Sequence, residues 1–177
     1  MLITPEYAAL NRQHLQESKT FGTGATLHVE QLRDLANILG TQDILDYGCG
    51  QGRVKQMLGW PIKEYDPCVP GKTDPPEPAE IVFCSSVLEH VEPHCLDAVL
   101  KDLRRCVKRC GFFIVPHNPA LDNLPDGRNC HQIIEHWPWW RVQIEQYFTI
   151  HSFVQVGAYG ANGHTMSIGS RTLMLVR

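Results

Sequence analysis

Apolar residues recur at helical spacing in several segments of the chain. In residues 28–39, for example, Val29, Leu32, Ala36 and Leu39 fall on one helical face, and Gly40 follows as the expected C-terminal cap. The same criteria predict helices over residues 5–19, 28–39, 53–59, 93–110 and 137–147.

Short apolar runs between these helices predict strands. Residues 81–88, IVFCSSVL, are almost continuously apolar, which is typical of a strand buried on both faces of a parallel sheet. The other predicted strands are a short one led by Ile44 and Leu45, then residues 62–65, 111–116, 148–157 and 171–177. Alternating helices and strands predict an α/β fold with a mostly parallel, Rossmann-like sheet. We expect a single domain over residues 1–177, with a helical cap (1–40) and a Rossmann-like core (41–177).

Composition narrows the range of partners. A formal net charge of −3 gives no general attraction to nucleic acid, so a nucleic-acid partner is not favoured, although a local basic groove stays open. No apolar stretch approaches the roughly 20 residues of a membrane-spanning helix. The seven cysteines are odd in number and lack CxxC pairs, which favours reduced thiols and a cytoplasmic location. The sequence gives no indication of the oligomeric state.

The segment DILDYGCGQGRV, residues 43–54, places three alternating glycines directly after a predicted strand. Glycine lets the backbone approach a ligand closely, and ligands of such sheets bind at the carboxyl ends of the strands. The third glycine comes one residue too early for the dinucleotide fingerprint. Asp46, at the strand end, would disfavour a pyrophosphate and favour an ammonium or sulfonium group. A plain tight turn without a ligand is the alternative.

Two further features favour a nucleoside cofactor over a plain turn. Asp66 follows Asp46 by 20 residues, at the end of the second predicted strand, where a carboxylate can accept both hydroxyls of a ribose. An Asp before a proline is otherwise a common turn former. The predicted strand 81–88 carries the small residues Ser85 and Ser86, and Glu89 and His90 are expected to open the next helix.

Together, ILDYGCGQGRV, YDP and VFCSSVLEHV resemble the class I S-adenosylmethionine-dependent methyltransferases, over about residues 43–116. More narrowly, these segments and LPDGRNCHQI resemble a small methyltransferase-like group of bacteriophages and prophages, which would place the protein in a bacterial host. The resemblance implies S-adenosylmethionine as the cofactor. The residues that it assigns to cofactor binding are Asp46 for the ammonium, Gly48 and Gly50 for the methionine chain, Asp66 for the ribose, Pro67 beside the adenine, and Ser85 and Ser86 on the methionine side. It gives Glu89 and His90 the roles of capping a helix and shaping the pocket.

The chain departs from this family between its second and fourth strands. Residues 67–80 contain five prolines and cannot hold the usual helix and third strand, so we expect a truncated sheet edge. Asp74 is a candidate to replace the missing residue near the adenine.

A polar segment after the strand 111–116 is the candidate acceptor site. His117 or His131 could act as a general base near neutral pH. The other candidate substrate-binding residues are Asn118, Asp126, Asn129 and the anion-binding Arg128. Turn formation and structural histidines are the alternative explanation. The tryptophans of residues 137–140 could stack on a ring or pack in the core, and Phe21 is a candidate lid residue.

Other chemistries fit the chain less well. Cys106 and Cys110 lack a second pair nearby, so no metal site is predicted. The predicted activity is methyl transfer to oxygen or nitrogen of a small polar acceptor, such as a sugar, a nucleotide or a modified base. One alternative is a phage protein that binds the cofactor but acts through a partner without catalysis. Another is a dinucleotide oxidoreductase, which the early third glycine and the two serines disfavour.

Overall fold

A six-stranded sheet forms the centre of the molecule. The computed structural model describes residues 1–18, 24–157 and 170–177. The strands are β1 (Ile44–Tyr47), β2 (Lys63–Tyr65), β3 (Ala79–Ser85), β4 (Val107–Pro116), β5 (Ile150–Val156) and β6 (Arg171–Val176). Their order is β2-β1-β3-β4-β6-β5, with the first four parallel and β6 antiparallel to both neighbours. The predicted α/β, mostly parallel, Rossmann-like fold is confirmed.

In the described part of the chain, five α-helices accompany the sheet. They are α1 (Pro5–Glu17), α2 (Val29–Leu39), α3 (Arg53–Leu58), α4 (Leu96–Cys106) and α5 (Trp137–Glu145). Short 3-10 turns span Gly24–His28, Leu88–His90 and Pro93–Cys95. Gly40 ends α2 as predicted, with a φ of 66° that a side chain would oppose. Among the described residues, no helix combines the length and apolar character needed to cross a membrane.

Helices cover both faces of the sheet because side chains of the strands alternate between two apolar clusters. On one face, strand residues such as Leu45 and Phe113 pack with α4 and α5 around a fully buried Trp140. On the other face, Ile44 and Phe83 pack with α2 and α3. Trp137 is also buried, so the core-packing alternative holds for these two tryptophans.

The structure corrects two predicted boundaries. The helix predicted over residues 93–110 ends at Cys106, and β4 begins at Val107, which pairs with Ala79. The strand predicted over residues 81–88 ends at Ser85, and a positive φ of 55° at Ser86 turns the chain away from the sheet.

The sheet edge beside β2 is short, as predicted. No strand lies between Tyr65 and Ala79, a stretch that the structure describes throughout, and β2 pairs only with β1. The carboxyl ends of β1 to β4 therefore meet at one edge of the sheet, where α/β folds place their ligands.

Candidate active site

A cavity of about 520 Å³ opens at the carboxyl ends of the parallel strands. All of the predicted cofactor-binding residues line it, namely Asp46, Gly48, Gly50, Asp66, Pro67, Ser85 and Ser86. They come from three different strand ends, and the parallel topology brings them together.

The three glycines of the β1–α3 loop serve different purposes. A Cβ on Gly48 would lie 2.4 Å from Cγ2 of Val87, and one on Gly52 would lie 2.2 Å from Oε1 of Glu64. Packing against Val87 therefore requires glycine at position 48, whereas at position 52 the flexible end of Glu64 can move and the φ of 75° is what favours glycine. Gly50 has a φ of 49° and no atom within 4 Å of its notional Cβ. Its backbone faces open space in the cavity, where a ligand can approach closely.

Asp46 ends inside the cavity with an unsatisfied carboxylate. The residue is 2% exposed, and its Oδ2 has no hydrogen-bond partner among the described residues. Burial raises the pKa of Asp46 to about 8, with a further increase from Glu64 and Asp66 that Lys72 opposes. A buried carboxylate without donors is costly, so this position is suited to a cationic ligand group.

Asp66 holds the glycine loop while facing the same cavity. Its Oδ2 accepts a hydrogen bond from the Gly50 amide at 2.9 Å, and its Oδ1 accepts one from the Cys68 amide at 2.8 Å. Burial raises the pKa of Asp66, although these backbone donors oppose the shift. A carboxylate offers about four acceptor sites, so two remain for the hydroxyls of a ligand.

The end of β3 supplies two serines. Ser85 is buried, and its hydroxyl has no hydrogen-bond partner among the described residues. Ser86 adopts a φ of 55°, the only positive φ of a non-glycine residue in the described part of the chain. Strained backbone of this kind is often found at functional sites.

The N-terminal segment closes one wall of the cavity. The backbone amide and the hydroxyl of Thr4 each donate to the carboxylate of Glu92 at 2.8 Å. The Tyr7 hydroxyl donates to the carbonyl of His90 at 2.7 Å. Tyr7 and Glu92 line the cavity, and the sequence analysis did not identify them because their partners are more than 80 residues away.

The polar segment after β4 contributes Asn118 and His131 to the cavity. Nδ1 of His131 lies 2.5 Å from the carbonyl oxygen of Asn118. The His131 ring meets the ring of His90 edge to face, with centroids 4.8 Å apart.

The structure does not bring the remaining acceptor-side candidates to this cavity. His117 is buried elsewhere, with Nε2 3.2 Å from the hydroxyl of Thr172. Arg128 forms an ion pair with Asp126 at 2.7 Å and lies over the ring of Tyr7. The side-chain amide of Asn129 accepts a hydrogen bond from the Ala120 amide and donates one to the Ala120 carbonyl. These local pairings are the turn chemistry that the sequence left open as the alternative.

The structure also changes the expected roles of Asp74 and Glu89, and it leaves that of Phe21 untested. Asp74 is exposed and does not line the cavity. Phe21 lies outside the described residues. Glu89 caps no helix: its carboxylate is fully buried without a hydrogen-bond partner among the described residues, and its carbonyl accepts from the amides of Gln132 and Ile133. Arg171, which the sequence analysis did not single out, lines the cavity in place of Arg128.

Comparison with known proteins gives a family and a fold. The model of a family described as a methyltransferase domain matches residues 14–158. No curated protein matches the chain significantly in sequence.

Solved structures resemble the whole chain at low sequence identity. One is 1,6-didemethyltoxoflavin-N1-methyltransferase from Burkholderia thailandensis, with 1,6-didemethyltoxoflavin and S-adenosylhomocysteine bound. The two chains share 17% sequence identity and superpose with a TM-score of 0.68, and the match covers 100% of this chain and 91% of the other. Another is the N-methyltransferase NodS from Bradyrhizobium japonicum WM9 with S-adenosylhomocysteine, with 14% identity, a TM-score of 0.65 and 98% of each chain covered. These comparisons agree with the class I methyltransferase resemblance and give no support to the narrower phage group.

Proposed function

We propose that this chain, which belongs to the family of methyltransferase domains, transfers a methyl group from S-adenosylmethionine to an oxygen or nitrogen atom of a small polar acceptor. The observation that carries the proposal is the buried carboxylate of Asp46, whose Oδ2 has no hydrogen-bond partner among the described residues, beside the open backbone of Gly50. Both stand at the strand ends where this fold binds its ligands.

The residues of the cavity fit the cofactor part by part. The Asp46 carboxylate can receive the ammonium of the methionine moiety, and Gly50 leaves room for its chain. The two acceptor sites that remain on Asp66 suit the ribose hydroxyls, with Pro67 beside the adenine. The Ser85 hydroxyl is a further donor for the methionine end. The sulfonium supplies an already activated methyl group, so the protein residues chiefly position the acceptor.

The rest of the cavity favours a small acceptor. Its volume of about 520 Å³ lies within the usual range for one small-molecule site of roughly 300–1,000 Å³, and the cofactor takes part of it. Asn118, His131 and Arg171 give the remaining wall hydrogen-bonding and cationic groups. The Burkholderia enzyme is described with a small-molecule substrate, 1,6-didemethyltoxoflavin, which agrees with this size class.

His131 is the residue that we assign to activation of the acceptor. Of the two predicted bases, it is the one that lines the cavity, and the Asn118 carbonyl fixes the orientation of its ring. Its Nε2 can act in two ways: it can accept the acceptor's proton, or it can hold a cation that polarises the acceptor.

A screen of acceptor classes tests the proposal. Purified protein is incubated with S-adenosylmethionine and sugars, nucleosides, nucleotides or modified bases, and S-adenosylhomocysteine formation is measured. We expect one class to give acceptor-dependent product, which Asp46→Asn and His131→Gln abolish and the exposed-surface control His151→Gln retains. Intact cofactor binding without turnover on any class would instead favour the non-catalytic partner-binding alternative.

A further inference from the structure

Three side chains with metal-binding chemistry converge behind the acceptor wall of the cavity. Nε2 of His90 and Nε2 of His131 each lie 3.8 Å from Oε1 of Glu89. The three candidate ligand atoms all lie within 4.8 Å of one another. Both histidines line the cavity, whereas Glu89 is completely buried behind them.

Backbone carbonyls determine which ring nitrogens point towards Glu89 as acceptors. Nδ1 of His90 lies 2.9 Å from the carbonyl of Cys130, and Nδ1 of His131 lies 2.5 Å from the carbonyl of Asn118. A carbonyl can only accept, so each Nδ1 carries the hydrogen and each Nε2 of the neutral ring carries a lone pair. Metal-binding histidines are typically oriented in this way, by a carbonyl on the opposite nitrogen.

The Glu89 carboxylate is buried without a hydrogen-bond donor among the described residues. Neither oxygen has a hydrogen-bond partner among the described residues, and the side chain is 0% exposed. Two lone pairs and a carboxylate that face one another require a cation or a proton between them.

We propose that Glu89, His90 and His131 bind one divalent transition-metal ion at the acceptor end of the cavity. Two imidazoles and one carboxylate are the donor set of zinc and non-haem iron sites, and Mn²⁺ and Co²⁺ also fit it. Ca²⁺ and Mg²⁺ prefer oxygen ligands throughout and suit this site less well.

The three side chains must move closer together to bind one ion. Ligands about 2.1 Å from one ion lie roughly 3.0–3.4 Å apart, so the two 3.8 Å separations must close by a few tenths of an ångström and the separation between the histidine nitrogens, which is within 4.8 Å, by up to about 1–2 Å. The carboxylate closes the buried side of the site. The cavity side stays open for further ligands.

The proposed metal site also narrows the class of methyl acceptor. This part of the inference rests on the proposed function. A divalent cation beside the cavity lowers the pKa of a hydroxyl group that contacts it, and the proton leaves to solvent. The remaining oxygen would attack the methyl carbon of S-adenosylmethionine, and the bond from that carbon to sulfur would break and release S-adenosylhomocysteine. The site therefore favours O-methylation of an acceptor hydroxyl group whose oxygen atom can bind the ion from the open side of the cavity.

Cobalt titration of chelator-treated protein tests the site directly. We expect one Co²⁺ per chain, with visible d–d absorption and without the intense near-ultraviolet bands of thiolate ligands. Glu89→Gln and His131→Gln should each weaken Co²⁺ binding about 100-fold or more, while His151→Gln on the surface of β5 should bind as the wild type does. Glu89→Gln keeps the side-chain shape and removes an unpaired buried charge, so it should fold without metal.

The outcomes separate this inference from the proposed function. No stoichiometric Co²⁺ binding, thiolate bands, or equal affinity in Glu89→Gln would overturn the metal site, and the first result would mean that a proton occupies the cluster. Cofactor binding is measured independently by titration with S-adenosylhomocysteine. Asp46→Asn should lose that binding and retain the cobalt bands, because Asp46 is not among the three ligands.

Discussion

Asp46 stands in the cavity as a buried carboxyl group whose pKa rises to about 8. The folded protein therefore keeps a proton on this group at pH values where the unfolded chain, with an ordinary pKa near 3.8, has lost it. Between these two values the folded state binds more protons, so stability falls as pH rises through the window. The group favours ligand binding at the expense of stability, as functional residues often do.

Replacement of Asp46 by Asn should reveal this cost. We expect Asp46→Asn to unfold at a higher denaturant concentration than the wild type already at about pH 5.5, because the unfolded wild-type chain has by then lost the proton that the folded state keeps. At about pH 8.5 the variant should be more stable by on the order of a few kcal/mol, because it carries no buried charge. Chemical denaturation of both proteins at both pH values measures the difference. A stability difference that does not widen with pH would contradict the buried carboxylate.

Gly50 offers a separate test of where the ligand lies. Gly50→Ala places a methyl group in open space at a φ of 49°, and Gly40→Ala does the same at a φ of 66° at the end of α2, remote from the cavity. Each should cost about 1–2 kcal/mol of stability through backbone strain. Only Gly50→Ala should also weaken S-adenosylhomocysteine binding, by about tenfold or more, as measured by calorimetry. Equal affinities in the two variants would remove Gly50 from the cofactor site.

At the scale of elements, the attachment of α1 depends on Thr4. Its hydroxyl accepts from the Tyr7 amide at 3.2 Å, as the N-cap of α1, and donates to Glu92 at 2.8 Å. The helix is mostly polar, so these bonds and the Tyr7 bond to His90 hold it over the cavity.

Thr4→Val keeps the shape of the side chain and removes both hydroxyl bonds. We expect a loss of about 1–2 kcal/mol and faster hydrogen exchange of the α1 amides, because one cap and one charge-assisted bond disappear. Thr149→Val, at an exposed position before β5, serves as the control and should leave α1 unchanged. If α1 exchanges equally fast in both variants, Thr4 does not anchor the helix.

The strands and loops also show which residues of the site could be predicted from the sequence. The β1–α3 loop and Asp66 were identifiable because each lies at the end of a predicted strand, and parallel strands present their carboxyl ends together. Ser85 and Ser86 were assigned through the family resemblance. The loop between β4 and α5 has no periodic pattern of apolar residues, so the directions of its side chains could not be predicted from the sequence. His117 and His131 had equal standing in the sequence, and only the folded loop brings His131 to the cavity.

At the scale of the whole molecule, long-range contacts account for most of what the sequence did not reveal. Nε2 of His131 lies 3.8 Å from Oε1 of Glu89 in the fold. The two residues are too far apart along the chain to match any sequence motif of a metal site. The bonds from Thr4 to Glu92 similarly join residues 88 positions apart. By contrast, the truncated edge was predictable because prolines exclude a helix locally. A single-domain organisation, a cytoplasmic location and the phage relationship stay predictions.

The cavity as a whole is the central claim, and calorimetric titration with S-adenosylhomocysteine, S-adenosylmethionine and NADH tests it most directly. We predict saturable binding of the first two at one site per chain and no binding of NADH. Asp66→Ala should weaken the binding of both by about tenfold or more, because the ribose loses a charged acceptor and the Gly50 amide loses its partner. NADH binding, or no binding of either S-adenosyl compound, would contradict the account.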